Sequence, residues 1–276
     1  MSEKIQKVLA REGLGSRRSL ELDIAQGRVS INGRVALLGD RCTEQDKIFY
    51  NGNLVHSSSV RDNICRILIY YKKEKEICSR VDTKGRKTVF DRLPSLSKGR
   101  WISVGRLDFN TSGLLLFTND GELANKLMHP SSNIDRKYSV RVFGELTKDM
   151  INRLLKGVRL ECGFCKFKSI EPAGGLGLNQ WFNVTLDEGK NREVRSLIES
   201  QGLQVSRLIR IQFAHMELPK GLPQGAWQEL NLKEVNKCRS LVSLPREQQT
   251  FVKDHAAKKR IKTSKLRRIV SKFNAK

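Results

Sequence analysis

Near residue 104 the chain passes from a polar, glycine-rich stretch into an unbroken apolar block, then into a turn. Val104-Gly-Arg-Leu-Asp-Phe-Asn-Thr-Ser-Gly113 leads into Leu114-Leu-Leu-Phe117, and Asn119-Asp-Gly121 follows. A short apolar run bounded by turn residues predicts a buried strand with a loop at its entrance. Upstream, Ile5, Val8 and Leu9 share one helical face and Gly13 with Gly15 end that helix. Ser16 is placed to cap a second helix, with Leu20 and Ile24 facing inward and Gly27 stopping it. Val29 and Ile31 alternate into Asn32-Gly33, and Ile48-Phe-Tyr50 runs into Asn51-Gly52, both hairpin signals. Cys65 to Tyr71 reads as a strand, with a basic loop at Lys72 to Lys75. Leu123, Leu127 and Met128 make a helix face that Pro130 ends. Strands are predicted at Tyr138–Phe143, Gln180–Leu186 and Val205–Phe213. Helices are predicted after Thr147, burying Met150, Ile151, Leu154 and Leu155 up to Gly157, and from Arg192 to about Gln201. Strands outnumber helices, and many connections are too short for parallel crossovers. The expected class is α+β, a mixed, mostly antiparallel sheet with peripheral helices.

Composition divides this pattern into units. Residues 1–56 form a small basic domain, 57–63 a polar linker, 64–240 a larger domain, and 241–276 a basic tail. From Arg246 on, lysine and arginine crowd a segment with little apolar content, which is expected to float free and condense on a polyanion. The net charge of +23 and a pI near 10.1 point to a nucleic acid, bound with strong salt dependence. No run approaches the roughly 20 apolar residues of a spanning helix, and Met1 to Lys7 shows no apolar signal region. The expectation is a cytoplasmic protein without membrane contact. Six cysteines are scattered along the chain. Cys162-Gly-Phe-Cys165 alone has metal-like spacing, and no second pair answers it, so no metal is expected. No phosphate-binding loop or dinucleotide fingerprint implies a cofactor.

Asp108 carries the candidate chemistry. A carboxylate on a tight loop beside Gly105 reads by default as a turn residue bonding its own backbone. Alternatively it is an ionised nucleophile or base, kept charged by a nearby guanidinium. Gly105-Arg-Leu-Asp-x-x-Thr-x-Gly-Leu-Leu-Leu116 resembles the signature of the pseudouridine synthases of the small-subunit synthase A (RsuA) family. The likeness continues through His129-Pro130, Lys137-Tyr138 and Glu188-Gly-Lys-Asn-Arg-Glu-Val-Arg195, and covers the chain from about Ser2 to Cys238.

The resemblance implies an N-terminal alpha-L (S-four type) RNA-binding domain followed by a pseudouridine synthase domain. It implies isomerisation of a uridine in 23S rRNA, near the peptidyl-transferase centre, on the RNA or on a large-subunit assembly intermediate, by a monomer. By this likeness Asp108 is the catalytic aspartate, Arg195 its cationic partner in a pocket that excludes water, and Tyr138 the residue that stacks on uracil. Arg106 would hold the target nucleotide out of its stack. Lys190, Arg192, Arg17 and Arg18 would contact phosphates; the last two oppose the dipole of the helix they begin, so anion contact explains them better than helix stability. The family usually has proline where this chain has Lys73, and Lys73→Pro is expected to be tolerated. Competing readings are a sister synthase acting on another 23S or 16S uridine, a non-catalytic ribosome-assembly protein, and a glycosidase pairing Asp108 with a second acid such as Asp120.

Overall fold

The computed structural model describes residues 2–55, 64–80 and 82–252. The expected linker and the stretch 253–276 of the expected tail lie outside them. In the N-terminal domain the two predicted helices form at Ile5–Arg11 and Arg17–Ala25. Ser16 caps the second through a reciprocal pair with Ser19, satisfying backbone donors that helix ends leave orphaned. Ile5, Leu9, Leu20, Ile24, Val29 and Ile48 close a small core beneath a four-stranded sheet turned at Asn32-Gly33 and Asn51-Gly52.

The larger domain is built on a nine-stranded sheet among the described residues. Its continuous path runs Ser169–Leu176, Asn179–Leu186, Arg136–Phe143, Gln204–Phe213, Ser112–Thr118, Ile67–Lys72 and Trp227–Glu229. The apolar block predicted from sequence is the central strand Ser112–Thr118, buried along its whole length. Its pairing with Gln204–Phe213 is parallel, while every other strand pairing in this sheet is antiparallel. Apolar cores lie on both faces, which is why this strand reads as continuously apolar rather than alternating.

Several elements depart from expectation. Met128 is exposed, because only Leu123, Ala124 and Leu127 of helix Gly121–Met128 turn inward. Asp120 caps that helix through the amides of Glu122 and Leu123 and so continues the chain instead of merely turning it. The edge strand Ser169–Leu176 and the helix Leu232–Leu241 lack the periodicity that would have flagged them. Past that helix, Val242 is buried and Leu244 packs on the core, Pro245 O accepts from Arg239 at 2.6 Å, and the amide of Glu247 donates to Asn236 at 2.7 Å. Residues 242–247 are therefore fastened to the larger domain.

Candidate active site

Strand register assembles the site. Gly113 stands opposite Lys72 on one side and Arg210 on the other, and Arg210 faces Tyr138 on the next strand. At Gly113 φ is +112°, and a Cβ would collide with the backbone of Arg210. Glycine alone allows the parallel approach there. The turn Asp108–Thr111 sits just before this crossing, so Asp108 is delivered to the sheet edge where Tyr138 and Arg210 also arrive.

That turn is held at every residue. The Thr111 amide donates to Asp108 O at 3.0 Å, and the Lys75 amide to Phe109 O at 2.8 Å. The thiol of Cys78 donates to Leu107 O at 3.4 Å. The fully buried Lys72 ammonium donates to Lys73 O at 2.9 Å, Asp108 O at 3.0 Å and Thr111 O at 2.8 Å. Burial pushes Lys72 below the ordinary lysine range, opposed by Cys78, Glu76 and Asp108. Lys72 thus belongs to the core and not to the basic loop in which the sequence placed it.

Arg195 is buried on helix Glu193–Glu199, with Nη2 donating to Asn110 O at 2.9 Å and Nη1 to Val205 O at 3.0 Å. No ion pair within 4 Å joins it to Asp108 among the described residues. Burial lowers the pKa of its guanidinium, as does Arg192, while Asp108 acts the other way. The observed contact is with the turn that presents the carboxylate, two residues beyond it.

Asp108, Arg106, Tyr138, Lys190 and Arg192 all line one cleft of about 820 Å³, with Arg195 behind its wall. Asp108 and Arg106 are exposed, so the carboxylate is not sealed from water as expected. Tyr138 is 8% exposed, at the cleft floor. Two arginines there were missed by sequence reasoning. Burial pushes Arg136 down, and its Nη1 donates to Ile134 O and Asp187 O. Arg210 is buried with Nε on Leu114 O at 2.7 Å and Nη2 without a partner. A charge inside Leu208-Ile-Arg-Ile211 breaks an apolar strand, and that break was the available signal.

Lys190 is occupied. Its ammonium contacts Glu188 at 2.8 Å, Phe164 O at 2.7 Å and Cys165 Sγ at 3.6 Å. Cys162 and Cys165 lie 3.6 Å apart, and Cys165, Glu188 and Glu193 bring three potential ligand atoms within 4.8 Å of one another, without Cys162. Lys190 provides positive charge within that group. Burial, then the neighbouring Glu188, pushes Glu193 up to about 7. Asp120 does not line the cleft; it is bound to Arg239 at 2.6 Å, so it is not placed to serve as the second acid of the glycosidase reading. Arg17 and Arg18 lie exposed on the N-terminal domain, away from the cleft.

Comparison with known proteins agrees with this geometry. Residues 66–200 match the model of RNA pseudouridylate synthases, and residues 3–48 match that of S4 domains. The chain is 55% identical to ribosomal large subunit pseudouridine synthase B of Haemophilus influenzae over 99% of its own length and 77% of that protein. Against the protein of the same name from Escherichia coli K12 the identity is 54%, covering 99% and 95%. A solved pseudouridylate synthase shares the fold, with a TM-score of 0.59 at 22% identity over 85% of this chain and 99% of the other.

Proposed function

The chain belongs to the RNA pseudouridylate synthase family, and from that premise we propose that it isomerises a 23S rRNA uridine near the peptidyl-transferase centre, using Asp108 as the catalytic carboxylate. The observation that carries the reading is the fixation of the Asp108 turn beside Tyr138 in a cleft lined by cations. A pinned turn holds a reacting oxygen in place before substrate arrives, which is where much of an enzyme's advantage arises.

Uridine and pseudouridine are isomers. The bond from ribose C1′ to uracil N1 breaks, the base turns, C5 bonds to C1′, and the C5 proton is lost while N1 gains one. Asp108 either attacks C1′, forming an ester as uracil leaves with the bond's electron pair, or removes the proton at C2′. Both routes need the ionised carboxylate at the sugar. In this reading Tyr138 stacks against the turning base with the Arg136 guanidinium close by, and its hydroxyl relays the C5 proton, giving up its own proton as it takes that one. Arg106 fills the space left in the RNA stack. Because Asp108 is open to solvent, the entering nucleotide itself is the group that excludes water. Arg192 at the rim takes a phosphate; Lys190 does so on exchanging its bond to Glu188. The domain assignment follows: 1–56 for RNA binding, and a catalytic unit from 64 to about 247, in a cytoplasmic monomer.

The test is pseudouridine mapping in 23S and 16S fragments treated with the purified protein. A single modified uridine in the large-subunit fragment is expected. Modification confined to 16S rRNA would place the protein with a sister specificity, and none in either RNA would favour a non-catalytic assembly role.

A further inference from the structure

Outside the cleft, a group of arginines gathers where the two domains meet. The turn after helix Ile5–Arg11 packs on the turn before Trp101: a Cβ on Gly13 would stand 2.8 Å from Gly99 O, and one on Gly99 would stand 3.1 Å from Arg11 O. This contact brings Arg17, in the first turn of helix Arg17–Ala25, toward Arg100 of the catalytic domain. Arg100 and Arg80 both line a groove of about 220 Å³ beside Phe90 and Trp101. Arg80 lies 4.4 Å over the Phe90 ring and donates to Trp101 O, which fixes its guanidinium at the groove wall. The Nε of Arg100 is buried and lacks a hydrogen-bond partner.

No carboxylate pairs with Arg17, Arg80 or Arg100 among the described residues. Their charges oppose one another instead. Burial first, then Arg17, depresses Arg100, and burial followed by Arg100 depresses Arg80. Three guanidiniums held near one another without an anion cost free energy, and a bound anion reverses the sign of that interaction. The groove is lined by near neighbours in sequence of residues that line the cleft. Ser79 and Ser103 line the cleft, and Arg80 and Trp101, one and two residues away, line the groove.

We propose that Arg17, Arg80 and Arg100 together hold one phosphodiester of the RNA substrate, clasping the N-terminal domain to the catalytic domain across the bound strand. The inference rests on the rRNA-modifying reading above and adds a site made jointly by both domains. The fork of a guanidinium suits a phosphate, and the first-turn amides of the helix add to its attraction.

The test uses the full chain and a 23S rRNA hairpin, with filter binding at graded salt and turnover measured alongside. Wild-type protein that makes no pseudouridine would defeat the functional reading and leave the arginine site to be judged by binding alone. Arg17→Ala and Arg100→Ala should each weaken binding roughly 3- to 10-fold and reduce the salt slope by about 0.7 to 0.9. At saturating RNA, kcat should be unchanged. The double variant should lose less than the product of the single losses, since both residues act on one phosphate. Arg100→Lys, which keeps the charge, guards against a packing effect and should restore most of the affinity. Unchanged slopes in both single variants, or losses in the double variant equal to the product of the two, would overturn the shared site.

Discussion

Lys72 shows how much one side chain can determine here. Its ammonium is buried beneath the turn it holds, with three carbonyls around it. Lys72→Met keeps the chain length but removes the donors, leaving those carbonyls short of partners. We expect kcat to fall at least 100-fold, with a lowered thermal midpoint and RNA affinity within a few-fold of wild type. Activity near wild type would mean the turn holds without it. At the next position the structure revises an expectation. The Lys73 amide donates to buried Glu76 at 3.0 Å, and Glu76 also accepts from Tyr70 at 2.8 Å. Proline has no N–H, so Lys73→Pro should destabilise the protein by about 1–2 kcal/mol, read as a shift in the denaturant midpoint. The sequence made Asp108 legible because a polar loop meeting an apolar block is a local pattern. It did not reveal that Lys72 and Arg210 are buried, since a charge at the end of Ile67–Tyr71 or inside Leu208–Ile211 looks like a strand edge until its neighbours are known. For Arg195 the motif suggested an ion pair with the carboxylate, whereas the contact seen is with Asn110 O, two residues beyond it.

At the scale of elements, the parallel junction is the part the sequence concealed. Hairpin turns are written locally in Asn32-Gly33 and Asn51-Gly52, whereas Ser112–Thr118 and Gln204–Phe213 are far apart in the chain and carry no shared signal. Gly113 is the trace of their meeting. Gly113→Ala should force these strands apart and move the Asp108 turn, lowering the thermal midpoint and kcat together. An active, wild-type-stable Gly113→Ala protein would contradict the pairing of Gly113 with Arg210. The loop that leads into helix Glu193–Glu199 carries a second consequence. Glu193 has its proton affinity raised, from 4.5 to about 7, by burial and by Glu188. The folded state therefore holds a proton that the unfolded chain releases earlier. Stability from this group is fully present below about pH 4.5 and is lost as pH rises through about 7. Glu193→Gln should flatten that part of the stability–pH curve and make the protein more stable than wild type near pH 8, by roughly 3 kcal/mol. A curve of unchanged shape would show that Glu193 has the same proton affinity in the folded and unfolded chain.

For the whole molecule, charge and chemistry are separable. The charge of +23 was legible from composition, as was a polyanionic partner; which cations face the cleft was not, because that depends on how distant strands register. Residues 253–276 carry ten lysines and arginines against one aspartate. Their deletion spares the fastened segment 242–247 and should reduce RNA affinity and its salt slope while leaving kcat at saturation unchanged. The central claim is that Asp108 supplies the chemistry and the surrounding cations supply the affinity. Asp108→Asn tests it most directly, because the amide keeps the shape of the side chain but is neither nucleophile nor base. Its backbone contacts with Lys72 and Thr111 use main-chain atoms and survive the change. The measurement is pseudouridine formation on a 23S rRNA fragment, with binding followed in the same samples. We predict no product and an affinity within about threefold of wild type, whereas substantial pseudouridine from pure Asp108→Asn protein would contradict the account.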